Sequence, residues 1–123
     1  MDAGLKKQLE DCGADVDATV KRFMGNEGLY MKFLGRFPDD KNFGGLVETI
    51  PAGQYEDAFR YAHTLKGVAA NLGINTVYDL ADKIVEVLRN KAPEDVDAAR
   101  AQELLAQLKE DYGKICAVIS ANK

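Results

Sequence analysis

The stretch of residues 55–73, YEDAFRYAHTLKGVAANLG, constrains the fold of this chain more than any other part of the sequence. On a helical wheel with about 100° per residue, seven of its apolar residues fall between roughly 140° and 260° from His63. These residues are Ala58, Tyr61, Ala62, Leu65, Val68, Ala69 and Leu72. One apolar stripe of this width predicts an amphipathic α-helix that packs against a core and turns His63 toward solvent.

The outer face of this helix carries the only histidine among 123 residues. A lone histidine is more often a packed or inert surface residue than a reactive one, but two neighbours favour a reactive role. Lys66 is three residues on, so its ammonium is within reach of an anion held on the imidazole. Gly67 is four residues on, although glycine within a helix costs about 1 kcal/mol relative to alanine. Close helix packing would explain such a glycine, but the wheel places it outside, where it leaves room for something to approach His63. Together these residues suggest a histidine that carries a phosphoryl group.

The segment AHTLKGVAANLG, residues 62–73, resembles the signature helix of histidine-containing phosphotransfer (HPt) domains. That signature has a histidine, a lysine three residues on, and glycines four and ten residues on. The matching residues here are His63, Lys66, Gly67 and Gly73. A looser similarity extends from about Asn26 to Asn90. The resemblance implies a free-standing bacterial phosphorelay protein, although the same fold also occurs within larger kinases.

The resemblance also implies a role for each residue around the histidine. His63 would be the phosphoacceptor, Lys66 would offset phosphate charge, and Gly67 would provide steric clearance. Phe59 and Ala70 would extend a flat apolar docking patch, with Arg60 and Glu56 beside it. The implied partners are receiver domains of response regulators and of hybrid histidine kinases. Those partners would supply the aspartate and the Mg²⁺, so no cofactor or metal site is expected in this chain.

One position departs from the family pattern. Family members often have a glutamine or glutamate on the following helix that helps to orient the imidazole, and the corresponding residue here is Val85. Either another group orients His63, with Arg60 and Glu56 as candidates, or the ring is held less firmly.

The rest of the chain also shows helical periodicity, which predicts a single all-α domain over residues 1–123. Short connections favour antiparallel neighbours, so we expect an up-down four-helix bundle with additional short N-terminal helices. The expected start signals are Asp17, Asn26, Asp39 with Asp40, and Asn75. Pro93 is expected to begin the last helix, with its pattern running from Glu94. The seam of that helix also fits a two-stranded coiled coil, but a domain core is the favoured interpretation.

Composition and charge narrow the possible functions. The formal net charge of −4 disfavours nucleic acids and anionic membranes as partners. No apolar run approaches 18 residues and no signal peptide is evident, so we expect a cytoplasmic protein, and a filled core favours a monomer. Cys12 and Cys116 are far apart in sequence and are expected to be reduced thiols.

An enzyme with its own turnover is disfavoured, because the sequence has no zinc-site spacing, no GxSxG or HExxH motif and no phosphate-binding glycine loop. No ATP-binding domain is visible, so autokinase activity is not expected. The alternative is a binding module on a helical scaffold, in which His63 is inert.

Overall fold

The computed structural model describes residues 1–122, and its regular elements are helices. The α-helices in this part of the chain are α1 (Ala3–Asp11), α2 (Val16–Arg22), α3 (Glu27–Leu34), α4 (Lys41–Thr49), α5 (Tyr55–Leu72), α6 (Asn75–Leu88) and α7 (Ala98–Ala121). Single turns of 3₁₀ helix lie at Phe37–Asp39 and Pro93–Asp95. The predicted all-helical class is therefore confirmed. The up-down order of four helices and the single-domain assignment stay predictions.

Helix α5 lies between neighbours that bury its apolar stripe. It packs against α4 on one side and α6 on the other, and α6 in turn packs against α7. Phe43 of α4 stacks on Tyr112 of α7 with ring centroids 3.8 Å apart. The Tyr112 hydroxyl donates a hydrogen bond to the carbonyl of Phe37. The core thus buries the inner face of α5, while His63 and Gly67 on its outer face are exposed.

Burial follows the predicted apolar faces closely. The predicted core residues of α6 are all buried, namely Val77, Leu80, Ala81, Ile84, Val85 and Leu88. The same is true of the α7 seam, formed by Leu105, Leu108, Tyr112, Ile115 and Ile119. On α5 the stripe is buried except for Tyr61 and Val68, which are half-buried. Gly45 of α4 is explained by this packing, since a Cβ there would lie 2.6 Å from the Tyr61 ring.

Three predicted helix starts were wrong by a few residues. Asp15, not Asp17, caps α2, because its carboxylate accepts the Ala18 amide at 3.2 Å. Asn75 is the first residue of α6 rather than its cap. Pro93 begins a separate 3₁₀ turn, and α7 starts only at Ala98. Helix ends are the least precise part of such predictions, and around α2 and α7 the sequence offers several acidic or proline start signals close together.

The predicted cap Asn26 is confirmed, and of the acidic pair expected at the start of α4, Asp40 is its N-cap while Asp39 lies in the preceding 3₁₀ turn. The Asn26 side chain accepts the Leu29 amide at 3.0 Å, and that of Asp40 accepts the Asn42 amide at 2.8 Å. No helix in the described residues is long and apolar enough to cross a membrane.

Candidate functional site

The candidate site is the outer face of α5 around His63. The imidazole is exposed, as the wheel predicted, and lies near the middle of the 18-residue helix. No hydrogen bond within residues 1–122 reaches its ring nitrogens. Their lone pair and proton are therefore available to an incoming molecule.

Lys66 lies on the side of this face that borders α6. Its Nζ is 2.7 Å from Oδ1 of Asp82 and 5.6 Å from the centroid of the Tyr78 ring. The hydrogen bond with Asp82 is the main reason that the pKa of Lys66 is raised above its usual value. Lys66 is therefore a full cation at neutral pH, and it is already paired with a carboxylate of the neighbouring helix.

Gly67 leaves open space beside His63. A Cβ built at this position would meet no atom within 4 Å outside its own helical surroundings. No packing contact within residues 1–122 therefore requires a glycine at this position, in contrast to Gly45 against the Tyr61 ring.

Phe59 borders His63 on the N-terminal side. The two rings are tilted by 43° with centroids 6.1 Å apart, and the Phe59 side chain is half-buried. The guanidinium of Arg89, from the end of α6, lies 5.6 Å from the Phe59 ring centroid. Arg89 also bonds Glu86 at 3.2 Å. Phe59 is thus held between the histidine and a cation–π contact, which limits its freedom to move.

The remaining residues of the expected patch lie on the same face with other partners. Arg60 forms ion pairs with Asp57 and, at 3.9 Å, with Glu56, which are its neighbours on α5. Ala70 is half-buried, and its carbonyl accepts a hydrogen bond from Arg22 at 3.1 Å. The face therefore has open space at Gly67 and is charged toward its N-terminal end.

Val85 is fully buried in the core. The contacts of Lys66 with Asp82 and of Phe59 with Arg89 show that α5 and α6 are antiparallel and place Val85 at the level of His63. An apolar, buried side chain provides no hydrogen bond to the imidazole. The ring's nearest aromatic neighbour is Phe59.

Sequence reasoning missed three residues of this site, namely Tyr78 and Asp82 on α6 and Arg89 directly after its last residue. They lie beside the apolar face of this helix, where Tyr78 and Asp82 are half-buried and Arg89 is exposed, and the sequence pattern predicts only the apolar face. Their spacings of four and seven residues, about one and two helical turns, place them on one side of that helix, and this spacing was the signal that could have found them. The contacts of these three residues depend on the register between α5 and α6. The sequence of neither helix alone predicts that register.

The comparison with family models agrees with this geometry. The model of the Hpt domain matches residues 32–115, a segment that contains α4, α5, α6 and most of α7. No curated protein and no solved structure matches the chain significantly. Because the matched segment covers more than half of the chain, the protein belongs to the Hpt domain family.

Proposed function

We propose that this protein is a phosphorelay intermediate in which His63 accepts a phosphoryl group from a receiver-domain aspartate, or from a kinase, and passes it to another receiver aspartate. Hpt domains are phosphotransfer modules of two-component signalling that interact with receiver domains. The observation that carries the proposal is the exposed His63 imidazole beside the open space at Gly67. The exposed ring and the open space would let an aspartyl phosphate approach so that a ring nitrogen lies in line with the bond from phosphorus to the aspartyl oxygen.

The proposed chemistry needs little from this chain beyond a nucleophile and its surroundings. A ring nitrogen of neutral His63 attacks phosphorus, the bond from phosphorus to the aspartyl oxygen breaks, and the aspartate leaves as a carboxylate. The reverse reaction with a second aspartate passes the group on. In such transfers positioning and electrostatics dominate, and the receiver would bring the Mg²⁺. Hpt domains are not kinases, and we propose no autokinase activity here.

Each neighbour of His63 has a proposed part in this transfer. Lys66 would offset the charge on the phosphoryl oxygens, and Phe59 would fix one side of the imidazole and contact the receiver. Gly67 and Ala70 would form the flat floor, with Arg60 and Glu56 as polar contacts at its edge. We propose further that the protein is bacterial, as the resemblance implies, that its filled core leaves it a monomer, and that it works in the cytoplasm.

The second candidate function is a binding module with an inert His63. The burial of Val85 favours it, because the imidazole lacks the polar partner that family members often have on the next helix. The two functions differ in one observable property, which is whether the histidine becomes phosphorylated.

The test is transfer of label from a receiver domain that has been phosphorylated with radiolabelled acetyl phosphate. We expect acid-labile, alkali-stable label on this protein, and we expect His63→Gln to abolish it. Because the ring is exposed, His63→Gln should leave the thermal unfolding curve unchanged. Thr64→Ala, which changes the exposed neighbour, is the matched control and should still accept label. Labelled His63→Gln protein, or a wild type that stays unlabelled by every receiver of its source organism, would refute the proposal.

A further inference from the structure

Asp82 stands out because it holds the cation nearest to the candidate phosphoacceptor. Its Oδ1 is 2.7 Å from Lys66 Nζ, within normal hydrogen-bond distance of an ion pair. The Lys66 side chain is 26% exposed and that of Asp82 is 40% exposed, so the pair lies at the surface, where an incoming group could compete for it. Sequence patterns alone assign no role to this carboxylate.

The pair joins the two helices that border the site. Lys66 comes from α5, three residues after His63, and Asp82 comes from the facing side of α6. The Tyr78 ring, one turn before Asp82, lies 5.6 Å from the same ammonium. Both contacts draw the Lys66 side chain toward α6.

We propose that Asp82 is a positioning residue that competes with the phosphoryl group for Lys66 and thereby weakens the hold of His63 on that group. The inference rests on the proposed function and deepens it. A phosphoryl group on His63 carries close to two negative charges and would attract the Lys66 ammonium. The Asp82 carboxylate opposes this in two ways, since it already binds the ammonium and it adds a negative charge nearby.

Such competition suits a relay intermediate, because the intermediate must pass on the phosphoryl group that it accepts. If Lys66 were fully available, it would stabilise the phosphorylated form and shift the equilibrium toward this chain. With Asp82 present, Lys66 must leave its ion pair with Asp82 before it can bind the phosphoryl group. The loss of that ion pair offsets part of the stabilisation of the phosphorylated form. The proposed result is a phosphohistidine that passes its group on readily to the next aspartate.

The experiment measures the equilibrium ratio of phosphoryl on His63 to phosphoryl on one receiver domain, for full-length variants. Ion pairs at the surface are weak, so Asp82→Asn should raise the ratio only about two- to fivefold. Asp82→Glu, which keeps the charge, should remain within about twofold of the wild type. Asp79→Asn is the matched control, because it removes one charge from an exposed position of α6 that forms no ion pair within residues 1–122. Its effect should be smaller than that of Asp82→Asn.

A double-mutant cycle separates positioning from simple charge removal. Lys66→Ala should lower the ratio, and on that background Asp82→Asn should change it no more than Asp79→Asn does. All variants should retain the wild-type thermal unfolding midpoint to within a few degrees, since asparagine and aspartate have similar helix propensities.

The competing outcomes distinguish this inference from the function on which it rests. If wild-type protein is phosphorylated but Asp82→Asn and Asp79→Asn have equal effects, the inference is wrong and the relay function stands. It is also wrong if the full effect of Asp82→Asn persists without Lys66. If the wild type accepts no phosphoryl group from any receiver, the function and the inference fall together.

Discussion

At the scale of single residues, Gly67 and Asp82 show what a sequence reveals and what it conceals. The helical wheel places Gly67 outside, beside His63, because periodicity within one helix is a local property. The structure agrees, with open space at its missing Cβ. Asp82 could not be identified in the same way, because its contact with Lys66 depends on how two helices are aligned against each other.

Gly67→Ala should separate stability from function. Alanine should raise the free energy of unfolding by about 0.5–1 kcal/mol, because it lowers the entropy lost on helix formation and meets no atom of the chain. The added methyl group would project into the proposed docking surface, so transfer from a receiver should slow about tenfold. Denaturant unfolding and transfer kinetics measure the two effects.

Gly113→Ala provides the control for this experiment. Gly113 also lies within a helix and is exposed, and a Cβ added there would meet no atom within 4 Å. Its replacement should bring the same gain in stability with no change in transfer rate. Equal transfer rates for Gly67→Ala and wild type would contradict the clearance role.

At the scale of elements, the junction between α5 and α6 explains the second glycine of the signature. Gly73 has φ = 68° and ends α5 in the left-handed region. Its carbonyl accepts the Asp15 amide at 2.8 Å, and the Asn75 amide donates to the Gly13 carbonyl at 2.9 Å. The loop before α2 is therefore attached by backbone hydrogen bonds to the end of the signature helix.

Gly73→Ala should destabilise the protein by at least about 2 kcal/mol, because it combines left-handed strain with a clash. A Cβ at Gly73 would lie 1.9 Å from Oγ1 of Thr19. Gly53→Ala is the control, since Gly53 has φ = 72° but no atom within 4 Å of the added Cβ. It should lose only about 1–2 kcal/mol. Equal losses of unfolding free energy in denaturant titrations would show that the contact with Thr19 adds nothing.

Sequence patterns predict where most helices lie and which faces they bury, but they do not predict this junction. The stop at Gly73 follows from the usual preference for glycine after a helix. The partner of that stop is Thr19, 54 positions earlier in the chain, and no local pattern relates the two. The same lack of long-range information explains why the sequence favours Asp17 over Asp15 as the cap of α2.

At the scale of the whole molecule, the core contains titratable groups that should make the fold sensitive to alkali. Burial raises the pKa of Tyr30 to about 12 and that of Cys116 to about 11, and it also raises the pKa of Tyr112. Each group is neutral when protonated, so the folded state binds these protons more tightly than the unfolded state does. Their contribution to stability is complete below the unfolded pKa values and is lost as the pH rises.

We therefore expect the free energy of unfolding to fall as the pH rises from about 9 through 12. The part from the raised pKa of Cys116 should be lost between 9.0 and about 11, and the part from Tyr30 between 10.0 and about 12. Tyr30→Phe should reduce the decline at the upper end. It should cost little at neutral pH, because the Tyr30 hydroxyl is buried without a hydrogen-bond partner in the described residues. A stability profile that is flat up to pH 12 would contradict this account of the core.

The central claim is that His63 carries the phosphoryl group, and locating that group directly on the chain tests it most sharply. The phosphorylated protein, formed from a phosphorylated receiver domain, would be digested at neutral to alkaline pH and fragmented by electron-based mass spectrometry. We predict phosphate on His63 alone, and its loss when a second, unphosphorylated receiver domain is added before digestion. Phosphate on any other residue, or a His63 phosphate that no receiver removes, would contradict the account.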